Sequence, residues 1–217
     1  AQLINRNSEN ADSKIPPLGG GGASEDTLAY HRAEREFKNC LLVEQPNGDW
    51  AQTILRQFLV SAYQYYLYQY LQEYKDDTLK AIAEKSLKEV SYHLRWSSEW
   101  VIRLGDGTEV SRRRMQHAID ELWQYTGELC LPSPYETELG IDLNCIKEKW
   151  KEKVNTVFAE ASLIPPAGLS AGVLTQAGGG GAVFMQEGGK TGIHTEHLGY
   201  ILTELQYMQR VYPGCEW

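Results

Sequence analysis

The sequence predicts an all-α fold, a bundle of long helices joined by short turns. Three observations carry that expectation. Apolar residues recur at three- and four-residue spacing over long stretches of the chain. Pro and Gly clusters punctuate the intervals between those stretches. No segment alternates apolar and polar residues convincingly enough to read as a strand.

The first long helix opens after Pro46-Asn47-Gly48, where Asp49 caps the free amides with Gln52 three residues on. Its apolar pairs run Ile54/Leu55, Phe58/Leu59, Ala62/Tyr63, Tyr66/Leu67 and Tyr70/Leu71, reaching Tyr74, so its buried face is broad. A second helix covers 77–104 through Leu79, Ala83, Leu87, Val90, Leu94 and Val101. Gly105-Asp106-Gly107 closes it with a left-handed cap. A third starts near Ser111 and buries Met115, Ala118, Ile119, Leu122, Thr126 and Leu129 until Pro132 and Pro134 stop it. The fourth runs from about Asp142 to Leu163 and ends at Pro165-Pro166. The last opens near Thr195 and carries Leu198, Ile201, Leu202, Leu205 and Met208. Residues 24–38 are helix-prone but polar and lie across the surface, while 164–193, rich in Gly and Ala, is a long flexible loop. Two tetraglycine runs, Gly19–Gly22 and Gly178–Gly181, read as linkers and lack the flanks of a phosphate-binding loop.

Composition narrows the function. The chain has 217 residues, 42% of them hydrophobic, which suits one domain with a real core. Its net charge of −8 offers no electrostatic route to a phosphate backbone, so neither nucleic acid nor an anionic membrane is an expected partner. No apolar run spans a bilayer, and AQLINRNSEN is no signal peptide. Cys40, Cys130, Cys145 and Cys215 are widely spaced beside apolar residues, which predicts free, buried thiols and a cytoplasmic location. Thirteen Tyr and six Trp suit large buried or interfacial surfaces.

Glu89 and His93, four apart, share one face of the second helix and invite a metal reading. A di-iron bundle needs more: a Glu from each of two helices and a Glu-x-x-His pair from each of two others. The residue three before each histidine is Leu28, Val90, Arg114, Thr191 or His194, so the chain has no Glu-x-x-His or Asp-x-x-His. Where a metal-binding bundle would place carboxylate and imidazole on the neighbouring helix, the chain offers Ser61 and Gln64. Neither is a useful iron ligand. Glu89 and His93 therefore read as vestigial, a hydrogen-bonded pair in the core, with no metal ligand and no catalytic residue assigned. The alternative is a metal-dependent oxidase or monooxygenase that uses Glu89 and His93. His194, Glu196 and His197 cluster in GIHTEHLG, but two histidines three apart miss the i, i+4 spacing of a shared helix face. Thr195 as cap, Glu196 at the positive helix end and histidines against loops or a partner is the plainer account. Arg112, Arg113 and Arg114 fall in the first turn of the third helix and read as a solvated face, a partner contact or a site for a phosphate-bearing ligand.

Three strings, EDTLAYHRAEREFKNCLLVEQPNGDWA, SLKEVSYHLRWSSEWVIRLGDGTEVS and GGKTGIHTEHLGYILTELQYMQRVYPG, closely resemble the family of phenylacetyl-CoA epoxidase C subunits. The resemblance covers roughly 24–163 and 183–217. It implies a ferritin-like helical bundle, a single domain over 1–217 that lacks most of the family's first helix, with 1–23 as helix tail and linker. It further implies a non-catalytic structural subunit of a multicomponent monooxygenase in aerobic phenylacetate degradation. In such an assembly the related, catalytic A subunit holds the di-iron centre, while a reductase delivers electrons from NADPH. The resemblance thus puts iron in the partner. A third alternative, motivated by the length and glycine content of the 164–193 loop, is that this loop and GIHTEHLG reach across to shape the partner's thioester channel.

Overall fold

The computed structural model describes residues 30–164 and 184–212. The tetraglycine runs, the 1–23 segment, most of the 164–193 loop and Cys215 lie outside the described residues. Within them are six α-helices: α1 (Trp50–Leu71), α2 (Asp77–Gly105), α3 (Glu109–Leu122), α4 (Pro134–Leu139), α5 (Leu143–Glu160) and α6 (Glu196–Val211). No strand occurs among the described residues, and the all-α, ferritin-like expectation holds. None of these helices is long and apolar enough to cross a membrane. The chain divides into two compact units, Cys40–Glu187 and the pair of segments Ala1–Asn39 with Gly188–Trp217.

In the larger unit every long helix begins on a side-chain cap. Asp49 accepts from the amides of Ala51 and Gln52 and closes a capping box with Gln52, as its sequence predicts. Asp76 caps α2 through Thr78 and Leu79, Thr108 caps α3 through Ser111, and Asp142 caps α5 through Asn144 and Cys145. Each satisfies amides that would otherwise lack partners, an effect of about 1 kcal/mol per cap.

Around α1 the core closes on residues with essentially no exposure: Ile54, Leu55, Phe58 and Leu59 of α1, Met115 and Ile119 of α3, and Ile146 and Phe158 of α5. Burying each such side chain contributes roughly 1.5–3 kcal/mol. Trp50, at the start of α1, meets Trp96 and Trp100 late in α2 at 6.0 and 5.9 Å, so the two helices run antiparallel. The Phe58–Phe158 contact at 6.3 Å and the indole of Trp150 on the Leu59 carbonyl tie α5 to the same helix.

Four local readings need correction. The third helix begins at Glu109 and ends at Leu122, with Thr126 and Leu129 buried in the 3-10 turns that follow. Pro134 does not stop a helix; it occupies the first position of α4, capped by the Ser133-x-x-Glu136 box and ended by Gly140 at φ 69°. Gly105 is not a left-handed cap, because α2 closes on Asp106 in right-handed geometry and Gly105 is buried within the helix. Cys40, Cys130 and Cys145 are thiols, yet the first two are half-buried and Cys145 is exposed.

In the smaller unit α6 buries Leu198, Leu202 and Gln206, a row at four-residue spacing. Ile201, Leu205 and Met208, which the apolar pattern assigns to the core, are 43–48% exposed. Glu34–Glu36 form a 3-10 turn in the same unit.

Candidate functional site

Glu89 and His93 stand on either side of the middle of α2, where Val90 and Leu94 are the buried residues. The Glu89 carboxylate is exposed and His93 is half-buried, its ring 6.0 Å from that of Tyr92. No hydrogen bond or ion pair joins them among the described residues, so the expected core pair does not form. The reason is burial: this stretch of α2 covers only a narrow face, and a carboxylate on its margin keeps its water. On α1, Ser61 is buried and its hydroxyl accepts from the Gln57 amide at 2.8 Å, while Gln64 is half-buried. Among the described residues no three His, Cys, Asp or Glu side chains converge in a way that could hold a metal ion. An alcohol, an amide, one solvated carboxylate and one imidazole do not fit a pair of iron ions.

Sequence reasoning missed two buried carboxylates. Glu128 and Glu136 are 2% and 7% exposed. Glu128 Oε2 accepts from the Leu41 amide at 2.7 Å. Glu136 Oε2 accepts from the amide and hydroxyl of Ser133 at 2.8 and 2.7 Å, and its Oε1 meets the Tyr63 hydroxyl at 3.4 Å. Ser133-Pro134-Tyr135-Glu136 is itself a capping-box signature, and it was the available signal. Burial, and next the Glu136 carboxylate, push the Tyr63 phenol far above its ordinary value. Burial raises Tyr135 as well.

These phenols are neutral in the folded chain and ionise near pH 10 once unfolded. Stability is therefore undiminished below about pH 10 and falls as pH rises above it. Tyr63→Phe is expected to cost about 1 kcal/mol or less at neutral pH, the contact being long, and to make the alkaline decline shallower by one proton's worth. Urea melts at pH 7.5, 10 and 11 measure this; identical slopes for variant and parent would show that Tyr63 carries none of it.

The GIHTEHLG stretch acts within the smaller unit. His194 Nε2 lies 2.9 Å from the Phe37 carbonyl, which can only accept, so that nitrogen carries the proton. Lys38 Nζ donates to the carbonyls of Arg35 and Thr191 at 3.1 and 2.9 Å. The buried Gln206 amide donates to the carbonyls of Tyr30 and Arg32. Gly192, at φ 92°, leaves no room for a side chain, since a Cβ would stand 2.4 Å from the Arg35 carbonyl oxygen. Together these residues clasp 30–38 against α6 and the turn that precedes it. The structure does not gather His194, Glu196 and His197 into one chemical site: Glu196 is exposed and His197 packs 6.4 Å from the Tyr200 ring. Thr195 holds the N-cap position without a side-chain bond to the first turn.

Arg112, Arg113 and Arg114 lie beyond the first turn, because α3 starts at Glu109. Arg112 pairs with Glu109 at 3.5 Å and Arg114 approaches Asp49 at 4.0 Å. Exposed pairs of this kind contribute little to stability and read as a solvated face.

Comparison with known proteins agrees with this picture. The C subunit of the 1,2-phenylacetyl-CoA epoxidase of Escherichia coli (strain K12) is 43% identical over 202 residues, covering 91% of this chain and 76% of that protein. Residues 13–217 match the family described as phenylacetic acid catabolic protein. With almost its whole length matched, the chain belongs to the phenylacetic acid catabolic protein family.

Proposed function

We propose that this chain is a non-catalytic structural subunit of a phenylacetyl-CoA epoxidase, and that it pairs with and stabilises the catalytic di-iron subunit. The observation that carries the reading is the 43% identity to a protein that is itself the C subunit of such an enzyme. The donor set on α1 and α2 supports it, because Ser61, Gln64, Glu89 and His93 lack the anionic oxygens that two iron ions require. The chain's contribution to the oxygenation is then mechanical. Long packed helices bury a face of the catalytic partner and hold its ligand-bearing helices in register, and small displacements of such helices shift metal geometry. Electrons reach the partner's iron from a reductase that uses NADPH. In this reading the chain works in the cytoplasm.

The test is to express the chain with and without its catalytic partner, then to measure iron on each polypeptide after separation. Iron is expected on the partner and far below one ion per chain on this one. Stoichiometric iron on the isolated chain, lost in Glu89→Ala, would instead make it a metal-dependent oxidase in its own right.

A further inference from the structure

The loop 45–49 joins the 3-10 turn Leu41–Glu44 to α1, and Arg56 of α1 reaches back to hold it. Its half-buried guanidinium donates through Nη1 to the carbonyls of Gln45 and Pro46, the second at 2.8 Å, and through Nη2 to the side chain of Asn47. A guanidinium only donates, so the Asn47 atom it meets is the carbonyl oxygen Oδ1 and not the amide nitrogen. The Thr53 hydroxyl fixes the Asn47 backbone carbonyl separately, at 2.7 Å. Arg56 meets neutral acceptors in these contacts and is in no ion pair among the described residues.

The same loop dictates Gly48. Its φ is 57°, and a Cβ there would stand 1.5 Å from Gln52 Oε1, the atom that closes the α1 capping box on the Asp49 amide. Without a side chain the Gly48 nitrogen is unshielded, and its N–H has no acceptor among the described residues. Asn47 and Gly48 are both exposed, so water and hydroxide reach them. Folding therefore brings together an open backbone amide, the side-chain carbonyl carbon with which it closes a five-membered ring, and a cation on that carbonyl's oxygen.

We propose that Asn47 is a self-modification site, at which the folded loop converts asparagine to aspartate and isoaspartate with Arg56 as the activating donor. The Gly48 nitrogen gives its proton to water or hydroxide and bonds to Asn47 Cγ, and negative charge gathers on Oδ1. Arg56 Nη2 already donates to that oxygen, and a preorganised cation at a developing oxyanion lowers the barrier. Collapse breaks the bond from Cγ to Nδ2, which takes up a proton and leaves as ammonia, and a succinimide remains. Water then opens the ring. Addition at Cγ gives aspartate, whose carboxylate is a charged partner for Arg56. Addition at the backbone carbonyl gives isoaspartate, which lengthens the main chain by one methylene. No electrons change hands: one water enters and one ammonia leaves. Either product alters the chain two residues ahead of the Asp49 cap, at the start of the helix around which the core closes.

The full chain is incubated at pH 8, folded in buffer and unfolded in urea, and each asparagine is read by peptide mass spectrometry for replacement of its NH2 by OH. In buffer Asn47 is expected to convert about tenfold faster than Asn144 and Asn155, which are also exposed but lie in α5, where capping and helical hydrogen bonds hold the amides that follow them. Its conversion in buffer is expected to be no slower than in urea. Arg56→Met, which keeps the stem and removes the donors, should slow conversion about tenfold in buffer and leave it unchanged in urea, where the loop is gone. Arg56→Lys, which keeps a cation, should fall between. Equal conversion of parent and Arg56→Met in buffer would overturn the part given to Arg56. Slower conversion of the folded parent than of the unfolded one would overturn the whole proposal, because the loop would then protect Asn47. That comparison needs no variant, so it decides the matter even where Arg56→Met fails to fold.

Discussion

Trp150→Ala is expected to destabilise the chain by about 4 kcal/mol, one of the largest losses available from a single side chain. The indole is 5% exposed, lies 5.9 Å from Trp123 at a 30° tilt, and donates through Nε1 to the Leu59 carbonyl at 2.9 Å. Two contributions are separable. Leu59 is inside α1, so its carbonyl already serves the amide one turn further on and keeps a partner when the indole is lost. The hydrogen bond is therefore worth only about 1 kcal/mol. The remainder is the cavity opened among α1, the turn carrying Trp123, and α5. Trp150→Phe, which keeps a ring and loses the donor, should cost about 1–2 kcal/mol for that reason. Denaturant midpoints of the two variants measure the division. If Trp150→Phe were as damaging as Trp150→Ala, the polar bond and not packing would be what joins α5 to α1.

That bond shows what a sequence can and cannot disclose. Periodicity places Trp150 on the apolar side of a helix, and helices α1, α2 and α5 are legible because their caps are local. Asp49 with Gln52 at the start of α1, and Asp106-Gly107 just past the end of α2, are written within a few residues of the ends they define. Partners that are backbone carbonyls leave no residue signature. The acceptor for Trp150 is 91 residues away and that for His194 is 157 away, and any residue type could occupy either position. GIHTEHLG thus looks like chemistry when its histidine holds a loop.

The region after Leu122 misleads for a different reason. Its apolar pattern continues through Thr126 and Leu129, but the Thr126 hydroxyl turns back to the Trp123 carbonyl at 2.7 Å, and Gly127 admits Met185 at a distance that a Cβ would crowd. The same apolar residues are buried by 3-10 turns, which spacing alone does not distinguish from a helix. Glu89 and His93 expose the complementary limit. Four-residue spacing fixes that two side chains share a face, whereas whether that face meets protein or water depends on neighbours that no local pattern encodes.

Gly105→Val decides between two accounts of that glycine, and it is expected to cost about 3 kcal/mol. Helix propensity alone predicts that replacing a helical glycine stabilises, by up to ~1 kcal/mol for Gly105→Ala. Packing predicts the reverse. A Cβ on Gly105 would stand 2.5 Å from the carbonyl oxygen of Ala161 and 2.8 Å from its Cβ, with Leu163 Cγ at 3.1 Å. The oxygen belongs to the backbone at the end of α5, where Ser162 already sits at φ 53° and Leu163 donates to the Phe158 carbonyl at 3.0 Å. That segment has no rotamer to change, so accommodating a methyl means moving the end of α5 away from α2. The overlap outweighs the propensity gain, and even Gly105→Ala should lower the thermal midpoint. Ala161→Gly in the same chain removes the Cβ contact but leaves the carbonyl, so it should restore little. Gly105→Ala that raised the midpoint would return Gly105 to the role of a helix stop, with no part in holding α2 against α5.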